Sequence, residues 1–214
     1  MSIRKTLDRI DRECWIETFT GKQFHLLNPH PDEVCIEDIA HALSNQCRFT
    51  GHTRKFYSVA EHSHWVSMLV DPRQALAGLL HDAAEAYICD MSTPFKRFTG
   101  AGRLYLSIED RINRVIATKF RLDYPWHPSI KEADLLMLGC EKRALMTRLA
   151  WPRTYSVPSA RELDVLIVGF PPEAAESVFL RHYDNILAIN AGEAQAHKEG
   201  SGGKAEAEFV QEAE

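Results

Sequence analysis

The chain has 214 residues, which is enough for one well-buried domain with at most a tail beside it. Its formal net charge of -5 provides no overall basic field, so a nucleic-acid polymer is not the expected partner. Five cysteines are scattered without a CxxC pair, and no apolar run forms a secretory leader or is long enough to cross a bilayer. These features predict a reduced, cytoplasmic protein that is neither secreted nor inserted into a membrane.

The first predicted element in chain order is a β-hairpin. Two runs of aromatic and β-branched residues, 14–19 and 23–27, flank the turn residues Thr20-Gly21-Lys22. Helical spacing of apolar residues then runs from Ile36 to Cys47, so this helix ends where Arg48 begins a basic and aromatic loop. The N-terminal part of the chain is therefore predicted to be a small hairpin followed by a helix.

Ser58 is placed to cap the next helix. Within it, Val59, His62, Val66 and Leu69 recur at the spacing of one helical face. This face is otherwise apolar, so His62 is predicted to point inward.

A central helix is predicted from Gln74 to Tyr87, because this segment is apolar almost all round, as expected inside an all-α bundle. His81 and Asp82 lie in the middle of it. Burial of an imidazole or a carboxylate is costly unless a partner or a metal satisfies the group. The doublet is therefore a candidate metal site.

The remaining predicted elements are helical. A short helix starts at Thr93-Pro94, and a longer amphipathic helix covers Leu104 to Phe120. A long helix runs from Ser129 to about Trp151, and Asp134 interrupts its inward stripe of Ile130, Asp134, Met137, Glu141 and Leu145. The last helix covers Glu173 to Ile189, and the state of residues 152–172 stays open.

Residues from Ala191 onward contain too few apolar side chains for a core and are predicted to be a disordered tail. The sequence thus predicts an all-α helical bundle with a small N-terminal β-hairpin. Residues 1–190 form its single domain and residues 191–214 its tail.

Four residues from three separate predicted helices point into the same apolar interior, namely His62, His81, Asp82 and Asp134. Taken singly, a histidine on an apolar face is more often a hydrogen-bonded core residue, and a His-Asp doublet can be a buried ion pair. Four such exceptions together favour one shared metal site. Two imidazoles and two carboxylates suit one divalent ion, Mn, Co, Zn, Fe, Ni or Mg, and such an ion activates water for hydrolysis.

Further polar residues surround these candidate ligands. Glu85 lies one helical turn after His81 and is the candidate general base, and Asp90 is a candidate second proton-transfer carboxylate. Three cations flank the ligand segments and are candidates for binding phosphate oxygens, although a basic residue at a helix end often only compensates the helix dipole. These cations are Arg48, Arg54 and Lys96.

The order of these motifs resembles the HD-domain phosphohydrolase superfamily. Ser58-Val59-Ala60-Glu61-His62-Ser63, His81-Asp82-Ala83-Ala84-Glu85, Asp90 and Thr93-Pro94-Phe95-Lys96 look like the small 5'-deoxynucleotidase branch and the phage-type deoxynucleoside triphosphate (dATP) triphosphohydrolases. The similarity covers residues 15–151.

The resemblance implies a role for each matching residue. It implies that His62, His81, Asp82 and Asp134 hold the metal and that Glu85 and Asp90 serve catalysis. It also implies that Arg48 contacts the substrate phosphate. Phe49 occupies the position of a family Trp that stacks near the sugar, so an aromatic wall is retained there.

The function expected from these features is metal-dependent hydrolysis of a phosphate ester or anhydride of a nucleotide, with a 5'-deoxynucleotide favoured. One alternative is a deoxynucleoside triphosphohydrolase that releases triphosphate, and another is hydrolysis of a 3'-pyrophosphorylated guanosine. An alternative of another class is a non-catalytic, nucleotide-sensing, metal-binding module. The expected partner is a small nucleotide rather than a nucleic-acid polymer or a membrane. Base preference, phosphate number, metal identity and a homo-oligomeric state, dimer or larger, stay open.

Overall fold

The computed structural model describes residues 13–152 and 167–210, with side chains described as far as residue 192. These parts of the chain are mainly helical, with one two-stranded antiparallel sheet formed by β1 (Trp15–Glu17) and β2 (Gln23–His25). The prediction of a mostly helical chain with a small N-terminal hairpin is therefore confirmed. The helices, in chain order, are α1 (Ile36–Asn45), α2 (Val59–Leu69), α3 (Ala75–Leu79), α4 (Glu85–Ile88), α5 (Thr93–Phe98), α6 (Gly100–Phe120), α7 (Pro128–Leu145) and α8 (Pro172–Val210).

The hairpin is fixed to the start of α1. Phe24 is fully buried and stacks on Tyr87 of α4, with ring centroids 3.7 Å apart. The Asp38 carboxylate accepts hydrogen bonds from the backbone N–H of Thr20, at 2.7 Å, and from its hydroxyl, at 3.0 Å. One face of the hairpin thus covers α4, and its turn is held by α1.

The core that supports the site is centred on α2. Ser58 caps this helix, since its hydroxyl accepts a hydrogen bond from the backbone N–H of Glu61 at 3.0 Å. Helix α2 packs against α3 and α7, and α1 packs against α2 and α4. Side chains from several elements fill the space between α2, α3 and α7, including Tyr57, Val66, Ala77, Ile130, Met137 and Leu145.

The prediction of a single central helix around the His81-Asp82 doublet is wrong. Two short helices, α3 and α4, are separated by a turn over residues 80–84. The backbone dihedrals at Leu80 are φ -102 and ψ 7, and the N–H of Ala83 bonds to the carbonyl of Leu80, three residues back rather than four. A run that is apolar on every side carries no periodic signal to reveal such an interruption, because the turn is as buried as the helices.

Two predicted helix ends also differ from the structure. Helix α7 was expected to reach about Trp151 but ends at Leu145, because Met146 has extended backbone dihedrals of φ -105 and ψ 169. Helix α8 was expected to end at Ile189 but continues to Val210. Residues 167–171 have no regular structure, and the rest of the undecided segment 152–172, apart from Pro152 and Pro172, lies outside the described residues.

The chain divides into two compact units, residues 1–180 and 181–214. The first unit holds the sheet, α1 to α7, the start of α8 and every candidate site residue. The second unit, over its described residues, is the remainder of α8. The boundary predicted at residue 190 and the disorder predicted beyond it stay predictions. Over the described ranges, no helix is both long enough and apolar enough to span a membrane.

Candidate metal centre

Two histidines and an aspartate meet where α2 passes the turn between α3 and α4. His62 Nε2 lies 3.5 Å and His81 Nε2 lies 3.2 Å from Asp82 Oδ2. The ligand atoms of these three residues all lie within 4.8 Å of one another. His62 is fully buried, and the other two are partly buried. This is a group that can hold one metal ion.

The hydrogen bonds of Nδ1 show that each histidine directs its Nε2 atom toward Asp82. His81 Nδ1 donates to the carbonyl of Gly78 at 2.8 Å, and His62 Nδ1 donates to Glu141 Oε1 at 2.6 Å. Both Nε2 atoms are buried and have no hydrogen-bond partner among the described residues. Imidazoles that bind metals in proteins are oriented in this way, with the other ring nitrogen bonded to a carbonyl or carboxylate. The residues present therefore fit a divalent metal with imidazole and carboxylate ligands.

Asp134 of α7 approaches the same group. Its Oδ1 lies 3.4 Å from His62 Nε2, and its Oδ2 accepts a hydrogen bond from Lys131 Nζ at 2.5 Å. Lys131 is exposed, but it forms an ion pair with a candidate ligand because it precedes Asp134 by three residues on the same helix face.

Glu141 is one of two polar residues of the candidate site that were not predicted to belong to it. It lies on the same inward stripe of α7 as Asp134 and is fully buried. One of its oxygens bonds to His62, and the other lies 3.3 Å from Arg48 Nη2. The signal was present in the sequence, since a second carboxylate on an apolar stripe needs a partner as much as the first.

The charges of the site favour a cation at its centre. Burial and the nearby Arg48 would lower the pKa of His62, but the carboxylates of Glu141 and Asp134 raise it to about 9. Burial would raise the pKa of Asp82, but its two histidine neighbours and Arg48 hold it well below its usual range. A field that holds a proton on an imidazole and ionises a carboxylate also favours a metal cation.

Glu85 and Asp90 line the cavity beside the metal-ligand group. Burial, together with the negative charges of Asp82 and Asp90, raises the pKa of Glu85 well above its usual value. Burial and Asp82 likewise raise the pKa of Asp90, although Arg48 opposes them. Carboxyl groups with raised pKa values are suited to take up and release protons near neutral pH.

A glutamine before Arg48 holds these two carboxyl residues in place. Gln46 Nε2 donates to the carbonyl of Glu85 at 3.0 Å, and Gln46 Oε1 accepts from the backbone N–H of Asp90 at 3.1 Å. The sequence reasoning also missed Gln46. No sequence signal marks it, because its two partners lie about forty residues away in the chain.

The structure separates the predicted phosphate-binding residues into two groups. Arg48 and Lys96 line the cavity, and Arg48 Nη1 lies 3.4 Å from Asp82 Oδ2. Lys96 Nζ lies 3.2 Å from Glu85 and 2.8 Å from Glu109, so two carboxylates already surround this cation. Those carboxylates raise its pKa, whereas burial alone would lower it.

Arg54 and Phe49 are absent from the cavity wall formed by the described residues. Arg54 is exposed, and its backbone N–H donates to the carbonyl of Leu145. Phe49 is half-buried, with its ring centroid 6.2 Å from that of Trp151, and its φ of 55 is unusual for a residue other than glycine. The substrate contacts expected of both residues stay predictions.

The cavity has a volume of about 400 Å³. Its wall comes from the turn between α3 and α4, from α5, from α6 and from the start of α7. The candidate ligands His81, Asp82 and Asp134 line it, as do Glu85, Asp90, Arg48 and Lys96. The other lining residues are Met91, Thr93, Arg97, Leu106, Glu109, Asn113, Trp126, His127, Ile130 and Lys131. This volume and wall suit a small polar molecule next to the metal-ligand group.

Comparison with known proteins relates the chain to a bacterial group. No family model matches it. It is 36% identical over 177 residues to the uncharacterized protein YfdR of Escherichia coli (strain K12). The alignment covers 82% of this chain and 97% of YfdR. It is also 33% identical over 193 residues to an uncharacterized protein of Rhodobacter capsulatus. That alignment covers 80% of this chain and 95% of the other protein. The alignments span most of each chain, and the protein therefore belongs to the family of YfdR.

Proposed function

We propose that this protein is a divalent-metal-dependent phosphohydrolase of nucleotides, a member of the HD-domain superfamily with 5'-deoxynucleotidase-like activity. The observation that supports the proposal is the convergence of two buried imidazole Nε2 atoms on the Asp82 carboxylate, while neither atom has a hydrogen-bond partner in the described structure. A cavity with proton-transfer carboxyl groups adjoins them. A reducing, cytoplasmic setting is part of the proposal, since all five cysteines are free.

The metal would be held by His62, His81, Asp82 and Asp134. When bound, it would polarise a phosphoryl oxygen and lower the pKa of the attacking water. Mixed imidazole and carboxylate ligands suit Mn, Co, Zn, Fe, Ni or Mg. Glu141 and the carbonyl of Gly78 orient the two imidazoles, so the ligand atoms are already in position.

The carboxyl groups manage the protons of the reaction. Glu85 accepts a proton from the water that attacks phosphorus, and Lys96, 3.2 Å away, holds this carboxylate in position. As the new P–O bond forms, the bond to the leaving oxygen breaks, and Asp90 donates a proton to that oxygen. Arg48 is directed at the cavity and stabilises the charge that develops on the phosphoryl oxygens.

Hydrolysis of dAMP and dATP by the full-length chain, with each metal supplied in turn, tests the proposal. We expect Asp82→Asn to abolish turnover and Glu85→Gln to lower kcat by roughly 10²–10⁴-fold while metal binding persists. Glu132→Gln, an exposed carboxylate of α7, is the matched control and should retain full activity.

The products distinguish the related functions. Inorganic phosphate from dAMP supports the nucleotidase, whereas triphosphate from dATP supports the triphosphohydrolase. Saturable nucleotide binding without turnover under any metal supports the sensing module instead. Undiminished hydrolysis by Asp82→Asn would contradict the proposed metal centre.

A further inference from the structure

Four residues of the cavity wall have no role in the reaction proposed above. Leu106 and Asn113 lie seven residues apart on one face of α6, and Trp126 and Ile130 lie just before and at the start of α7. These four residues all line the cavity, and we refer to them as the second wall. Two of them are apolar, and each of the other two brings one polar group.

Both polar groups of the second wall are buried and unsatisfied. Asn113 Oδ1 and Trp126 Nε1 have no hydrogen-bond partner in the described parts of the chain, and Asn113 is only 8% exposed. The neighbours of Asn113 on α6, Ile112 and Ile116, are fully buried core residues. A buried amide oxygen and a buried indole N–H are costly unless something in the cavity pairs with them.

The second wall lies close to the metal-ligand group. Ile130 precedes Asp134 by one turn of α7, which corresponds to a rise of about 6 Å along the helix. This separation is comparable with a pentose, the unit that separates the phosphate of a nucleotide from its base. A ligand whose phosphate faces the metal ligands can therefore extend a flat, polar-edged group to the second wall.

We infer that the second wall binds the nucleobase and determines base preference. The inference rests on the proposed function, since it takes the phosphate to be at the metal centre. Asn113 Oδ1 accepts from an exocyclic amino group or a ring N–H, and Trp126 Nε1 donates to a ring nitrogen or carbonyl. Leu106 and Ile130 pack against the base. A base that leaves either polar atom unpaired binds more weakly, so the wall discriminates among bases.

Equilibrium binding to the Glu85→Gln variant tests the inference, because this variant should hydrolyse its ligand too slowly to deplete it during the measurement. Calorimetric titration with Mn²⁺ present would compare the four deoxynucleoside 5'-monophosphates with base-free deoxyribose 5-phosphate. Trp126→Phe keeps the aromatic body but removes the donor, and Asn113→Leu keeps the approximate shape but removes the amide. Trp15→Phe and Asn28→Leu, at exposed positions of the N-terminal region, are the matched controls.

We expect each second-wall variant to weaken at least one nucleotide about tenfold, which is the effect of one lost hydrogen bond to a buried group. The affinity for deoxyribose 5-phosphate should stay the same, and the ranking of the four bases should change. An equal loss for the base-free compound, or no change for any nucleotide, would overturn the inference.

The same titrations separate this inference from the proposed function. Suppose that the wild type hydrolyses none of these nucleotides but binds them with a base preference that both variants alter. That result would support the second wall and overturn only the hydrolytic function. Hydrolysis with unaltered base ranking would overturn only the second wall. If no nucleotide binds, both fail.

Discussion

Glu141 shows at the scale of one residue how the candidate metal centre is prepared. Its carboxylate bonds to His62 on one side and faces Arg48 on the other, and it is fully buried. Burial would raise the pKa of Glu141, but Arg48 and His62 lower it, so the group stays ionised. An ionised partner on Nδ1 keeps Nε2 directed at the metal and makes it a stronger ligand.

Glu141→Gln should weaken metal binding, because an amide is a poorer partner for the His62 ring than a carboxylate. We expect the dissociation constant for Mn²⁺, measured by calorimetry, to rise about ten- to hundredfold. The matched control is Glu132→Gln on the same helix, which should bind as the wild type does. Equal affinities in all three proteins would show that the Glu141 bond to His62 does not support metal binding.

Lys96 makes the proposed proton-transfer role of Glu85 testable by pH. Its positive charge lowers the pKa of Glu85, against burial and the charges of Asp82 and Asp90. Lys96→Met removes the cation and so raises that pKa further. A base must be ionised to work, so the acidic limb of the kcat/KM profile should move to higher pH in the variant.

The control for Lys96→Met is Lys119→Met, an exposed lysine of α6 that should leave the profile in place. A shift of the acidic limb to lower pH, or no shift, would contradict the role of Glu85 as the base that limits activity in acid.

At the scale of elements, the break between α3 and α4 brings the doublet to the site. The turn over residues 80–84 places His81 and Asp82 beside α2, and α4 then starts with Glu85. Gln46 lies just after α1 and bonds to both ends of the α4 region. It donates to the carbonyl of Glu85 and accepts from the N–H of Asp90. The relative positions of the candidate ligands and of the proposed proton-transfer groups thus depend on contacts of α4 with the segment at the end of α1.

Helix α4 ends in a strained residue. Cys89 has φ 66 and ψ 157, a region that is populated almost only by glycine. Its carbonyl accepts a hydrogen bond from the hydroxyl of Tyr105, which helps to hold this conformation. Helix α4 thus ends at this residue, immediately before Asp90.

Cys89→Gly should relieve this strain and increase the free energy of unfolding by about 1 kcal/mol, because the gain outweighs the added freedom of glycine in the unfolded chain. Cys89→Ala is the control, since alanine retains the Cβ and should give no such gain. Chemical denaturation of the three proteins would measure the difference. A glycine variant less stable than the alanine variant would contradict the strain.

At the scale of the whole molecule, a metal that binds only the folded state must stabilise it. Mn²⁺ at a free concentration of a hundred times its dissociation constant should add about 2.7 kcal/mol to the free energy of unfolding. Thermal denaturation with added Mn²⁺, and then with a chelator, would show the midpoint rise and fall. The predicted ligand variant Asp134→Asn should lose most of the rise.

The control for Asp134→Asn is Asp123→Asn, which changes an exposed carboxylate between α6 and α7. It should respond to Mn²⁺ as the wild type does. A midpoint that is independent of Mn²⁺ in the wild type would argue against a metal site formed on folding.

The sequence by itself determined the mainly helical class, the hairpin and the residue types of the candidate site. Apolar periodicity is a local property, so it was sufficient to predict the hairpin, the helical class and the inward direction of His62 and Asp134. The cost of burying His81 and Asp82 was sufficient to mark them as a candidate site.

Only the tertiary structure decided how these residues meet. The roles of Glu141 and Gln46 depend on partners 79 and about forty residues away, and no local pattern contains such a distance. The break after Leu80 was invisible because both helices and the turn are apolar. The second wall likewise exists only because packing brings α6 and the start of α7 to one cavity, where Asn113 Oδ1 and Trp126 Nε1 are left without hydrogen-bond partners among the described residues. Ligand types follow from local chemistry, whereas their orientation and the shape of the pocket follow from contacts between distant parts of the chain.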